Sequence, residues 1–399
     1  MSFDWWINGI LDLGVWQKVI AVIVMTQITI VSVTLYLHRH SAHNSLDLHP
    51  ILSHFFRFWL WLTTGQNTKE WTAIHRKHHA KCETIDDPHS PVVKGLKKVL
   101  FQGAELYQDE ASNKETLQRY GQRTPEDWIE RYVYSRHKLK GIALMAVLDL
   151  LFFGLAGITV WAIQMIWIPL FAAGVINGLG HAVGYRNFEC KDAATNLTPW
   201  GLIIGGEELH NNHHTYPNSA KLSVKPWEID IGWFWIKTFS FVGLAKARNV
   251  APVAQTNSDK LVLDTDSLRA IIHNRFYVLS EYHKNVMIPV IKEQQANMKK
   301  QEKVLYKKAK RLLTKEPKLV NEAEIKRIDT MLENNMMIKT IYEKCHELQD
   351  IWKRHPGSRF QEKLNELMDW CKQAEQSGIE CLENFALELK NYSLASATS

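Results

Sequence analysis

The chain is 399 residues long, 46% hydrophobic and 23% charged, with a formal net charge of +6. That composition excludes low-complexity disorder through the first two thirds, and so mild a charge by itself implies no nucleic-acid partner. Five cysteines without a C-x-x-C pair exclude a disulfide framework and argue against a thiolate zinc site.

The averages conceal a division, because apolar residues crowd the first 245 positions and charges the remainder. Residues 1–14 carry Asp4 and Asp12, no basic stretch and no small-residue cleavage site, so no cleavable signal is expected. From Val19 to Leu37 no residue is charged, and as a helix that run covers roughly 28 Å, about one hydrocarbon core. It stops at His38-Arg39-His40. A shorter apolar run, Ile51 to Gly65, is interrupted by His54 and Arg57. It is predicted to lie at the interface or under a cytoplasmic domain, with Trp59 and Trp61 suited to that depth.

From Leu150 to Gly180 there is again no charge, with Lys138, Lys140 and Asp149 before and His181, Arg186 and Lys191 after. Extended to about Ile142 and Tyr185, the block is predicted to form two helices joined near Gln164–Pro169. Spans at about 19–37, 142–163 and 167–186 then put the basic ends in the cytoplasm. That count leaves the N-terminus outside, unless the Trp-rich stretch Phe3–Trp16 dips in and returns.

Fourteen of the eighteen histidines lie between His38 and His214. Three groups stand out: His38-Arg-His-Ser-Ala-His43, His75-Arg-Lys-His78-His79 and His210-Asn-Asn-His213-His214. In H-x-x-H-H on a helix, residues i, i+3 and i+4 share a face, so the imidazoles converge. Imidazole suits iron, zinc or copper, and eight such donors exceed what one tetrahedral ion uses, so two metals are expected to share them. His181, in Asn177-Gly-Leu-Gly-His181, is a ninth candidate, with Asn177 one helical turn away and able to hold a metal-bound water. His40 is expected to support the ligands from behind. His89, in Asp86-Asp87-Pro88-His89, is expected to orient one together with Asp87. His49, His54 and His137 read as interfacial or structural.

Beyond Ala245 the character changes. Residues 249–267 read as a linker. A helix capped by Asp266-Ser267 is predicted to run through Lys315 with a kink at Pro289. Two more follow, about Asn321 to Arg354 and Arg359 to Lys390, with apolar stripes stepping by three and four, as in a coiled coil or small bundle. The stripes are Ile338, Ile341, Cys345, Leu348 and Trp352, then Leu364, Leu367, Cys371, Ala374, Gly378, Cys381 and Phe385. Lys299–Lys315 is strongly basic and reads as a solvated helix face. His355-Pro-Gly-Ser358 is similar to the haem motif of cytochrome b5, but no histidine follows it to supply the second axial ligand, so no fused haem domain is expected.

HRHSAH, HRKHH, HNNHH and NGLGH, with WTAIHRKHHAKCETIDDPHSP and GGEELHNNHHTYPNSA around them, closely resemble the boxes of membrane fatty acyl desaturases related to stearoyl-CoA Δ9 desaturase. The resemblance covers about residues 19–248. It implies a diiron centre on the cytoplasmic side: two Fe2+ held by nine histidines, with O2 as co-substrate. His38, His43, His75, His79 and His214 would hold one ion; His78, His181, His210 and His213 the other, with Asn177 acting through a water. It also implies a narrow acyl tunnel, beside which Trp71 packs. Where animal acyl-CoA desaturases carry Arg-Asp before the second box, this chain has Ala73 and Ile74, which favours an acyl chain on a membrane lipid over acyl-CoA.

The expected protein is therefore all-α: integral membrane helices with a cytoplasmic-face diiron domain over 1–248, a linker at 249–267 and a C-terminal helical or coiled-coil region over 268–390. The expected activity is O2-dependent insertion of a cis double bond, by resemblance at Δ9. Electrons would come from a separate donor of ferredoxin, rubredoxin or cytochrome b5 type, and no nucleic acid is involved. The expected location is a multi-pass membrane protein, in the inner membrane if bacterial. Two alternatives are a diiron alkane or lipid hydroxylase and a non-catalytic membrane protein acting through its C-terminal helices.

Overall fold

The computed structural model describes residues 4–300, 302–353 and 360–394. The His355–Ser358 motif lies outside them. The chain divides into two compact units, Met1–Arg186 with Asp192–Ala251, and Asn187–Lys191 with Pro252–Ser399.

In the first unit, helix Val15–Val31 runs without a break into a π-helical segment, Ser32–Ala42. The combined 28 residues are long and apolar enough to cross a bilayer, as is Ala156–Leu179 at 24 residues. Before the latter comes Lys138–Phe153, which is 16 residues long. The expected join near Gln164–Pro169 is not where the chain turns. It turns at Gly154, whose φ of +64° suits a residue without a Cβ. Pro169 instead opens a second π-helical segment, Pro169–Leu179, at its first position, where a missing N–H costs little.

The Trp-rich N-terminus folds onto that turn. Ile10 N–H donates to Leu151 O at 2.9 Å and Leu155 N–H to Trp6 O at 3.0 Å. Val15 and the Gly154 turn therefore share one end of the helical group.

Helix Pro50–Thr63 buries Leu52, Phe56, Leu60 and Trp61 along one face. Arg57, which interrupts its apolar run, is buried against two carboxylates, Asp127 at 2.6 Å and Glu130 at 2.8 Å. The Asn67 side chain accepts the N–H groups of Lys69 and Glu70 and so caps helix Thr68–Lys81, the carrier of the second histidine group. The third group forms the six-residue helix His210–Thr215, which is buried throughout. Its flanks are fixed by Arg39. The Arg39 guanidinium, 1% exposed, donates to Asp230 Oδ1 and to the carbonyls of Gly205 and Ala220, each at 2.9 Å. One residue of the first group thus holds the segments on both sides of the third. A short antiparallel pair, Leu46–Leu48 with Ala245–Ala247, closes the unit.

The second unit is a bundle of short helices, not the three long ones expected. The first helix begins at Thr265, capped by Asp264 and not by Asp266. It stops at His273, and the chain continues as Arg275–Tyr282, a π-turn at His283–Met287 and Ile288–Asn297. The predicted second helix is Glu322–Glu333 and Met336–Lys353, and the third is Phe360–Glu375 and Glu380–Lys390. Gly378, at φ +70°, turns the chain between the last two. Ile338, Ile341, Cys345, Leu348, Leu364, Leu367, Cys371, Ala374 and Phe385 are all buried in one core, so the stripes close a bundle. Within the expected linker, Gln255–Thr256 pairs with Tyr392–Ser393, and Leu263 is buried.

Candidate metal centre

The first pair of imidazoles is set by the π-helix. A π-turn bonds residue i to i+5, and His43 N–H donates to His38 O at 3.0 Å. H-x4-H therefore places two rings side by side, with centroids 4.7 Å apart. Helix Thr68–Lys81 brings His75 and His79 to the same place by its i, i+4 repeat. His43 and His75 Nε2 lie 2.7 Å apart. His213 Nε2 lies 3.1 Å from His38 Nε2 and 2.8 Å from His79 Nε2.

A second gathering forms beside it, where the ligand atoms of His78, His181, His214 and Cys82 all lie within 4.8 Å of one another. His210 Nε2 is 3.0 Å from His181 Nε2. All nine candidate histidines thus meet in one place, from elements far apart in sequence. The division differs from the one the resemblance implies. His213 groups with His38, His43 and His75, and His214 with His78 and His181. The cause is visible in the outer contacts, because Asp192 Oδ2, 2.9 Å from His214 Nδ1, holds that ring toward the second gathering.

Carboxylates back several rings. Asp87 accepts from His78 Nδ1 at 3.0 Å and from the backbone N–H groups of Glu83 and His89. Glu83 Oε1 lies 3.4 Å from His181 Nδ1. Glu207 Oε1 accepts from Thr34 Oγ1 and lies 2.9 Å from His38 Nδ1, off the ring's N–H direction. Such partners fix which ring nitrogen carries the proton and leave Nε2 as the donor.

Burial, and then the neighbouring imidazoles, push His75, His79, His210, His213 and His214 well below the ordinary imidazole value, so they are neutral and ligand-competent. Asp87 is held below the usual carboxylate range: burial raises it, but His78 beside it more than compensates. The donor set fits metal on one further count, since His214 Nε2 is buried without a hydrogen-bond partner among the described residues.

Of the supporting residues expected, Asp87 bonds His78 and His89 stacks 4.4 Å from it. His40 Nδ1 bonds the Leu46 carbonyl at 2.8 Å, and its ring joins neither gathering. Asn177 lies in the π-helical segment and His181 just past its end, so they are not neighbours on one α-helical turn as expected. Sequence reading passed over Glu83, Asp192 and Glu207. Only the acids inside the quoted box flanks carried a signal.

An apolar cavity of about 520 Å³ reaches the centre. His38, His75, His210 and Asn177 border it, and Val33, Ile74, Ile142, Ile168 and Ile176 form its walls. Trp71 stacks on His75 at 4.8 Å and also lines it. The Lys138–Glu70 ion pair lines it too and is partly exposed, marking an opening. Helix Leu96–Ala111 packs on the second π-helical segment through Gly103 and Gly174, where an added Cβ would meet backbone at 2.4 and 2.5 Å.

A family model described as fatty acid desaturase matches residues 14–229, more than half of the chain. Curated relatives agree over the same region. The sn-1 stearoyl-lipid 9-desaturase of Synechocystis is 29% identical over 225 residues, 56% of this chain and 68% of that protein. Delta-9 acyl-lipid desaturase 2 of Arabidopsis thaliana is 28% identical over 229 residues, 56% of this chain and 72% of that protein. The icosanoyl-CoA 5-desaturase of Limnanthes douglasii is 30% identical over 245 residues, 58% of this chain and 64% of that protein. The chain thus spans about two thirds of the length of these relatives. A second family model, described as a transposase, matches residues 268–395.

Proposed function

The chain belongs to the fatty acid desaturase family, and we propose that it is an O2-dependent enzyme placing a cis double bond in a saturated acyl chain. The observation that carries this is the meeting of nine histidines with an apolar cavity. Two ferrous ions held by His38, His43, His75, His78, His79, His181, His210, His213 and His214, with Asn177 through a water, would activate O2 there. The chain's own residues do the rest. Burial keeps the imidazoles neutral and the carboxylates aim them, Trp71 and the Ile-rich walls hold the acyl chain, and the apolar cavity excludes water from the reacting carbons.

Position Δ9 is the choice for the double bond, supported by two relatives named for it. An acyl chain on a membrane lipid is the favoured substrate. Ala73 is fully buried and Ile74 lines the cavity, so neither can meet a charged carrier, which falls instead to the exposed side near Lys138. Electrons come from a separate protein, as the family in general implies. The helices Val15–Ala42 and Ala156–Leu179 lie in a membrane, supported by Trp16, Ile20, Ile23, Ile158 and Ile166, which face outward in apolar rows. The cytoplasmic face is our choice for the histidine end, supported by Lys138 and Lys140.

Gas chromatography–mass spectrometry of fatty acids from cells expressing the chain tests the reading, with double bonds mapped and His78→Ala as control. A new monounsaturated acid, absent from the control, is expected. A hydroxy acid in its place would make the enzyme a hydroxylase.

A further inference from the structure

The second unit is electrically lopsided. Between Lys299 and Lys318 stand nine Lys or Arg against two acids, Glu302 and Glu316, whereas the rest of 252–399 has fifteen bases against nineteen acids. The positive charge is therefore gathered in one stretch, and the fold keeps it outside. Short helices Glu302–Tyr306 and Ala309–Leu313 turn Tyr306, Ala309, Leu312 and Leu313 into the core. That leaves Lys303, Lys307, Lys308, Lys310 and Arg311 exposed. None of these five forms an ion pair among the described residues. Of the acids nearby, Glu302 accepts the Lys299 N–H at 2.9 Å, and Glu324 is taken by Lys315 at 2.5 Å. The scaffold is fixed from behind. Arg327, on helix Glu322–Glu333, donates to the carbonyls of Val304 and Leu305 at 2.8 Å, and the Tyr306 hydroxyl donates to Met331 O at 2.8 Å. Val304, 68% exposed, is an apolar side chain among the cations.

We propose that this basic face docks on an anionic bilayer surface, its unpaired ammonium groups meeting lipid phosphates. The proposal rests on the membrane placement given above and not on the chemistry of the metal centre. The spanning helices belong to the same chain, so a bilayer is always within reach of this unit. A cluster of unpaired cations on one face is what a negatively charged lipid surface attracts, and an exposed apolar side chain among them gains by entering the headgroup layer. The composition separates this partner from a nucleic acid. Eight of the nine bases are Lys, which acts as a point charge, whereas phosphodiesters read in fixed geometry favour the Arg fork. The one aromatic residue of the stretch, Tyr306, is buried, so no ring is offered for a base to stack on.

The test places the full chain in nanodiscs of phosphatidylcholine, with or without phosphatidylglycerol at about one lipid in three. Lysine acetylation is followed by peptide mass spectrometry. At Lys303, Lys307, Lys308 and Lys310 it is expected to slow about threefold or more in the anionic discs and to recover in about 0.5 M NaCl. Lys372, exposed on helix Phe360–Glu375, is expected to keep its rate throughout. In the double variant Lys307→Glu with Lys308→Glu, the rates at Lys303 and Lys310 should no longer depend on the anionic lipid. Equal rates in the two discs, slowing that salt does not reverse, or an equal slowing at Lys372 would overturn the proposal and leave the desaturase reading untouched. Protection by added duplex DNA or by an acidic protein in neutral discs, with no effect of phosphatidylglycerol, would overturn it in favour of that partner. A chain that enters neither disc would overturn the membrane placement as well.

Discussion

The two units bury their interiors differently. In the first, Arg39, Arg57, Asp87, Glu130, Glu207, Glu208, Glu228, Asp230 and most of the clustered histidines are under 10% exposed. The second is built around Tyr282, Leu348, Leu367, Trp370 and Phe385, with Ser267, Asn274, His283 and Gln349 as its buried polar side chains among the described residues. Burying charge costs several kcal/mol per group unless each is paired, whereas burying apolar surface stabilises directly. The first interior accepts that cost because its polar groups position donors. The second interior carries no such demand and is organised for packing.

The sharpest way to break this contrast is at the residue shared by both halves of the centre. His213 stands with His38, His43 and His75 and also with His79 and His214. His213→Ala is expected to abolish the unsaturated product and to lower bound iron in the purified chain, read by product analysis and metal content together. Activity retained with full iron would mean that the gathering is not the catalytic centre.

Next in size are two core substitutions with opposite physics. Arg39→Met leaves Asp230 buried without its cation, at a cost of about 3–5 kcal/mol to the first unit. Leu367→Ala, at a fully buried position, is expected to cost about 2–5 kcal/mol in the second. Hydrogen exchange on the full chain reads each unit separately, and each substitution should loosen its own unit. If Arg39→Met is neutral, the buried charges of the first unit are not structural.

A smaller effect sharpens the picture of the centre. Asp87→Asn keeps the shape but removes the anion at His78 Nδ1, and metal affinity is expected to fall about 10–100-fold. Titration of the stripped chain with Co2+ measures it, and an unchanged affinity would reduce Asp87 to a loop-fixing residue.

How much of this was legible in the sequence follows from the same physics. H-x-x-H-H declares itself because a helix converts spacing into a face. H-x4-H does not, since i and i+5 share a side only in a π-helix, and nothing local to Ser32–Ala42 announces one. The acids behind the rings were hidden because they arrive from loops: Asp87 was found by adjacency to His89, whereas Asp192 reaches His214 across 22 residues. The hairpin turn was misplaced because Pro169 looked like the natural break. Its missing N–H falls at the first position of a new helical register, and the true turn depends on Gly154 meeting Ile7 and Gly9. In the second unit the apolar stripes marked the core correctly, while helix ends, set by single caps and glycines, were off.

The smallest prediction concerns one such end. Asp264 accepts the N–H and the hydroxyl of Ser267 and pairs with Lys260 at 2.8 Å. The Lys260 pairing first, and then the Ser267 N–H, hold its carboxyl down at about 2, below the ordinary 3.8. A carboxyl depressed in the folded state adds stability that is fully present above about 3.8 and lost as pH falls through about 2. Asp264→Ala is expected to cost about 1 kcal/mol of local stability at neutral pH, seen as faster hydrogen exchange in Leu268–His273. Asp264→Asn should recover much of it, because the amide oxygen still caps, but without the acid dependence. Asp266→Ala removes only the more distant pair to Lys260 at 3.3 Å, and roughly 0.3 kcal/mol is expected. The reverse order, with Asp266 mattering more, would restore the cap to the position the sequence pattern suggests and shift the start of the second unit's first helix by two residues.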